Sequence, residues 1–327
     1  MSKYYYLVAG LPNITFDGGK PPFTVSGFKE ELANHLTKAD MRLLEFLFFK
    51  AENKNLLKQL QTPEYEQETE GKITVEELNV LITGLQKVID GKKERDRIIE
   101  ERNKIMKEHE DDFELPPLPP FPPRIRPFRN KNKRLPSYFV TFARIYLESV
   151  GNEEETIIPW EDRLSSLYYE YAMKRSNSFI ASWYELNLNI HNIFTALTCR
   201  AYKLDRANYI VGDTEISQKL RLSNARDFDI GDTLEYLPSV LRIAEETDWL
   251  QREWKTDVLK WEWLDEQILV KVFDIESVMT YMLKIEMLER WSNLDKVAGE
   301  KVFRQMVGDI KKGSNNTLEE FKRNNKK

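Results

Sequence analysis

Leu188-Asn189-Ile190-His191-Asn192-Ile193-Phe194 lies within Phe179 to Lys203, a run whose apolar residues return at helical spacing. Asn189 and Asn192 stand three positions apart and so share one helix face, while the neighbouring Ile193 turns toward a core. The pattern recurs in Ala51-Glu52-Asn53-Lys54-Asn55-Leu56-Leu57 and in Phe273-Asp274-Ile275-Glu276-Ser277-Val278-Met279. Each copy places a carboxylate or amide (Glu52, Asn189, Asp274) three residues before Asn55, Asn192 or Ser277, and an aliphatic residue follows. A chain built from similar helical units is usually a scaffold rather than a pocket shaped for one substrate. Three ordinary amphipathic helices are the plainer reading, and the pattern alone leaves both open. The six polar residues read first as structural, because a half-buried amide needs a partner within its own fold. Contact with another protein is the alternative.

Composition supports helix throughout. Only 13 of 327 residues are glycine, and Leu, Glu and Lys fill long periodic runs. Hydrophobic residues at 41% and charged residues at 31% describe a water-soluble chain with ample core-forming material. The single cysteine, Cys199, excludes an internal disulfide framework and fits a reducing cytoplasm. Met1-Ser2-Lys3-Tyr4-Tyr5-Tyr6 lacks the apolar core and cleavage site of a signal peptide. No run approaches the ~18 apolar residues of a membrane span, so direct membrane insertion is not expected. A net charge of −5 does not favour nucleic acid as a partner.

The chain reads as a series of segments. Residues 1–115 form a first helical unit, with expected helices over Phe28–Leu36 and Lys38–Leu60 and a capping box at Thr74 and Glu77. Ile73 and Leu78 are placed for the accompanying hydrophobic staple. Between Lys92 and Asp112, 15 of 21 residues are charged, with both signs interleaved, which predicts an exposed helix. Residues 116–135 form a proline-rich and basic connector. It begins at Leu115-Pro116-Pro117-Leu118-Pro119-Pro120, and Arg124–Arg134 carries six basic residues and no acidic one. Residues 136–232 make a second helical unit and 233–312 a third, with 313–327 as a disordered tail. In the third, Leu250, Trp254, Val258, Trp261, Leu264 and Ile268 fall on one stripe.

Catalytic chemistry has no positive support in the sequence. His35, His109 and His191 lie on different expected helices, and no zinc-binding or phosphate-cradling motif occurs. Cys199 reads as a helix-face residue rather than a nucleophile. No cofactor is expected.

Several segments resemble an uncharacterised bacterial family whose genes accompany V-type ATPases. They are Tyr4-Tyr5-Tyr6-Leu7-Val8-Ala9-Gly10-Leu11-Pro12, Leu188 to Asp205, Trp261-Glu262-Trp263-Leu264-Asp265-Glu266, and Glu289-Arg290-Trp291 with Leu294-Asp295. The resemblance covers most of the chain outside Lys92–Pro127 and the tail. The three motif copies also resemble degenerate forms of an Asp-x-x-Asn-Leu signature. That signature belongs to the socket subunit of V/A-type ATPases, the one called C in archaea and bacteria and d in eukaryotes. Only the third copy has the aspartate, Asp274, and it carries Ser277 in place of asparagine. The first has Glu52 with Asn55 and the second Asn189 with Asn192.

That resemblance implies an all-α protein of three similar helical units about a pseudo-threefold axis, forming a funnel. It further implies a non-catalytic central-stalk component that receives the rotor shaft and rests on the membrane rotor ring. Its partners would be shaft and ring subunits, and its location the cytoplasmic face of the membrane, held there through the complex. A helical adaptor that binds a partner through the proline-rich and basic connector is the competing expectation.

Overall fold

The structure is a computed structural model. It describes residues 3–16, 21–62, 73–108, 133–150, 159–174 and 177–294, with 115, 117, 118, 120, 129 and 130 between them. The expected disordered tail, residues 295–312 of the expected third unit and most of the proline-rich and basic connector lie outside the described residues.

The protein is all-α. Its first five helices are α1 (Tyr5–Ala9), α2 (Val25–His35), α3 (Lys38–Phe46), α4 (Phe49–Gln61) and α5 (Val75–Glu108). There follow α6 (Ser137–Ser149), α7 (Trp160–Met173), α8 (Ser178–Tyr202), α9 (Glu215–Leu222), α10 (Leu237–Ala244) and α11 (Trp249–Gln267). A twelfth, α12, covers residues 275–294. The one ladder among the described residues is a two-residue antiparallel pair, Arg129–Asn130 with Lys133–Arg134.

Local chemistry sets the helix starts. Thr24 accepts from the Gly27 amide at 3.1 Å, Asn177 from Ile180 at 3.0 Å and Thr214 from Ser217 at 3.1 Å. The capping box forms as its spacing predicts. The Glu77 amide donates to Thr74 Oγ1 at 3.3 Å, and the Thr74 amide donates to Glu77 Oε2 at 3.1 Å. Ile73 and Leu78 are both buried beside it. The expected continuous helix over 38–60 is instead two, parted by a turn at Leu47–Phe48.

Grouping follows space rather than sequence order. One compact unit joins Met1–Leu44 to Glu245–Lys327, and the other is continuous, Glu45–Ala244. This differs from the expected series of three consecutive units. The physical reason lies in long-range contacts that local patterning cannot encode. The Tyr4 amide donates to the Phe273 carbonyl at 2.7 Å, the Val25 amide donates to Glu289 Oε2 at 3.0 Å, and the Phe28 ring meets Tyr281 at 5.3 Å.

The continuous unit is built on α8, which packs against α7, α9 and α10. Twelve of its 25 residues are buried, from Phe179 to Cys199, so it is enclosed on most sides rather than amphipathic. Beside it an aromatic cluster carries its own polar closure. Tyr168 and Tyr184 share a hydroxyl hydrogen bond of 2.5 Å, and Tyr168 also donates to the Phe46 carbonyl at 3.3 Å. Burial pushes the Tyr168 phenol well above its ordinary range and that of Tyr169 up to about 12, so both stay neutral.

Candidate functional site

Helices α4 and α8 and the start of α12 carry the three motif copies, and all six motif residues are buried. Glu52 is 5% exposed, Asn55 1%, Asn189 1%, Asn192 0%, Asp274 7% and Ser277 7%. Most buried polar side chains are hydrogen-bonded, so each copy is a candidate fastening point, although Asn189 Oδ1 has no hydrogen-bond partner among the described residues.

In the second copy Asn192 is bonded through both ends of its amide. Asn192 Nδ2 donates to the Val211 carbonyl at 2.7 Å and to Ser217 Oγ at 3.1 Å. In return the Val211 amide donates to Asn192 Oδ1 at 3.0 Å. The amide side chain thus satisfies both backbone groups of Val211, as a neighbouring strand would. Ser217 Oγ adds a bond to the same carbonyl at 3.2 Å. The adjoining Gly212 lets the loop approach this closely. Its φ of +77° suits glycine, and a Cβ there would meet Leu188 Cδ2 at 3.2 Å. One turn earlier on α8, Asn189 Nδ2 donates to the Tyr236 hydroxyl at 3.1 Å, drawing in the segment before α10.

Charge holds the third copy. Asp274 immediately precedes α12 and pairs with Lys3 Nζ at 2.5 Å. Ser277 Oγ donates to the Lys271 carbonyl at 2.6 Å, closing the turn between α11 and α12. Asp274 raises the Lys3 ammonium above its ordinary range, first through the hydrogen bond and then through opposite charge.

The first copy sits on α4, where the intervening Asn53 accepts from the Tyr138 hydroxyl at 2.5 Å and so joins α4 to α6. Farther along, Gln59 Nε2 donates to Asn79 Oδ1 at 2.9 Å, linking α4 to α5. Copies one and two therefore belong to the continuous unit and copy three to the other.

A second polar system in the α11–α12 unit has no counterpart in the motif. Asp257, 4% exposed, accepts from Arg290 and from Trp291 Nε1, the latter at 2.9 Å, and Arg290 also reaches Glu253. Lys284 pairs with Asp265 and lies 4.4 Å from the centre of the Trp261 ring. Burial draws the Lys284 ammonium below its ordinary range, opposed by Asp265. The family resemblance includes Trp261, Asp265, Arg290 and Trp291, and Trp261 also falls on the expected stripe, but sequence reading missed Glu253, Asp257 and Lys284. For Lys284 the available signal was the i, i+4 recurrence of Glu276, Thr280 and Lys284, polar residues on a largely apolar stretch of helix.

The described residues contain no group of three or more His, Cys, Asp or Glu side chains able to hold a metal ion. Cys199 is buried, and its thiol is pushed up by that burial, away from the range of a reactive thiolate. His191 is exposed on α8, and His109 lies outside the described residues. No described helix is long and apolar enough to cross a membrane.

The chain matches a family described as proteins of unknown function, DUF2764, over residues 1–113 and 124–314. It belongs to that family. The match leaves residues 114–123 and 315–327 aside and includes the charged half of α5. No curated protein and no solved structure matches the chain.

Proposed function

We propose that this DUF2764 member is a non-catalytic socket component of the central stalk of a V/A-type ATPase. In that role it couples the rotor shaft to the membrane rotor ring during ion transport or ATP synthesis. The observation that carries the proposal is the burial of all six motif residues at three separate helices. Matched buried fasteners are what a rigid torque-bearing scaffold needs, because they fix helix positions without opening a pocket. The segment resemblances to the V-type ATPase-associated family and the all-helical fold support the same reading. A three-unit funnel is part of the proposal. Attachment to the cytoplasmic face of the membrane would come through the shaft and ring subunits.

Affinity purification of the intact rotary ATPase from the native membrane provides the test. This chain should be recovered together with shaft and ring subunits, and chemical cross-links should join it to both. Consistent absence from an active, intact complex overturns the proposal.

A further inference from the structure

The turn between α11 and α12 presents apolar side chains outward. Leu269 is 75% exposed, Val270 91% and Val272 47%. Alongside it runs the N-terminal segment, tied by the Tyr4–Phe273 backbone bond and by the Tyr5 ring at 4.8 Å from the Phe273 ring. Tyr5 is 53% exposed and Tyr6 97%. Two aromatic and three aliphatic side chains therefore stand in water on one small tip. Single exposed apolar residues are ordinary, but a contiguous set marks a contact surface.

Two further observations define the chemistry that the tip suits. The lysines that flank it are already neutralised, Lys3 by Asp274 at 2.5 Å and Lys271 by the fully buried Glu276 at 3.2 Å. Much of the turn's backbone is also bonded internally. Leu269 donates to Glu266, Lys271 to Ile268 and Asp274 to Lys271, while Ser277 Oγ donates to the Lys271 carbonyl. With both flanking lysines paired and part of its backbone bonded, the tip loses less when water is removed from it than a bare turn would. Its exposed tyrosines suit the polar headgroup level above an apolar boundary.

We infer that the tip formed by Tyr5, Tyr6, Leu269, Val270 and Val272 inserts shallowly into the interfacial region of a lipid bilayer. The aliphatic side chains enter the acyl boundary and the tyrosines sit at headgroup depth. The contact is driven by apolar burial and does not require anionic lipid. It is independent of the proposed rotary role, and it adds a direct lipid contact where the sequence led us to expect none.

The test uses the full chain with phosphatidylcholine vesicles. Co-sedimentation is expected, and it persists in ~0.5 M salt, where electrostatic attraction is screened within a few ångströms. Leu269→Glu combined with Val270→Glu should weaken partitioning by about tenfold or more. Leu222→Glu, at an 80% exposed position in the other unit, should leave it unchanged. Both substituted tip residues are exposed, so the thermal unfolding profile should be unaltered. As a second readout, Val270→Cys carries a polarity-sensitive fluorophore, because Cys199 is buried and is the chain's only native cysteine. Its emission should shift to the blue on adding vesicles.

Four results with vesicles overturn the inference. They are no binding to phosphatidylcholine, binding that needs anionic lipid and disappears in salt, binding unaffected by the double substitution, or a label that stays in water. A concentration-dependent dimer abolished by the tip substitution also overturns it, by assigning the surface to a second copy of the chain.

Discussion

In the second motif copy Asn192 holds Val211 through three neutral hydrogen bonds shared with Ser217, whereas in the third Asp274 holds Lys3 through charge. The contrast extends to each surrounding unit. Around α8 the buried polar closures are amides and hydroxyls, including the Tyr168–Tyr184 pair. Along α11 and α12 they are ionic, through Asp257 with Arg290 and Lys284 with Asp265. Neutral bonds depend on geometry and desolvation, and ionic ones also on salt and pH. Similar sequence patterns are therefore closed by neutral bonds at the second copy and by charge at the third, so salt and pH should act more strongly on the third.

The contrast is broken most sharply at Asn192. Asn192→Ala strands both buried backbone groups of Val211 apart from the Ser217 hydroxyl, and should cost about 3 kcal/mol. Urea unfolding would report the loss, and hydrogen exchange should localise it to residues 209–222. A cost below about 0.5 kcal/mol would show that Asn192 is not the fastener described. Next in size is Asp257→Ala, which deprives Arg290 and Trp291 of a shared acceptor. Arg290 is 43% exposed on its side chain, so screening holds the expected loss to about 2 kcal/mol. The loss should shrink in 1 M salt, unlike that of Asn192→Ala.

Thr74→Ala removes one half of the capping box of α5 and should lower stability by about 1 kcal/mol. This cap belongs to the neutral unit but lies exposed, so it separates neutrality from burial as the source of salt tolerance. The smallest effect concerns Lys3. Its folded pKa is raised above 10.5, so its contribution is complete below that pH and is lost as pH rises through the raised value. The stability difference between the native chain and Asp274→Asn should therefore stay level to about pH 10 and then close. A difference that closes near neutrality would assign the titration to another group.

Local rules carried much of the fold. Helical periodicity located α8 to within a residue at each end, and the Thr74–Glu77 spacing located the start of α5. The turn at Leu47–Phe48 escaped notice because Phe46 to Phe49 continues the apolar pattern without glycine or proline. The stripe on α11 was legible only in part. Trp261 and Leu264 are buried, but Leu250 is 54% exposed, since a hydrophobic period gives a face without saying how far along it a partner extends. The motif residues, expected as half-buried structural positions, are all buried. Their bonding partners, Val211, Tyr236 and Lys3, lie outside each local window, and no local pattern names them.

The split unit also governs how the molecule comes into being. Met1–Leu44 and Glu245–Lys327 together bring Val25 to Glu289 across 264 positions. During synthesis at ~5–20 residues per second, about 12 to 50 seconds pass between the emergence of α2 and that of its partner. For that interval Phe28, fully buried at the end, lacks the Tyr281 ring of α12 that packs against it. The Glu45–Ala244 stretch is contiguous and can close while the ribosome is still at work. A chain cut short before residue 275 would lack Tyr281 and Glu289, and with them the contacts they make to Phe28 and to the start of α2.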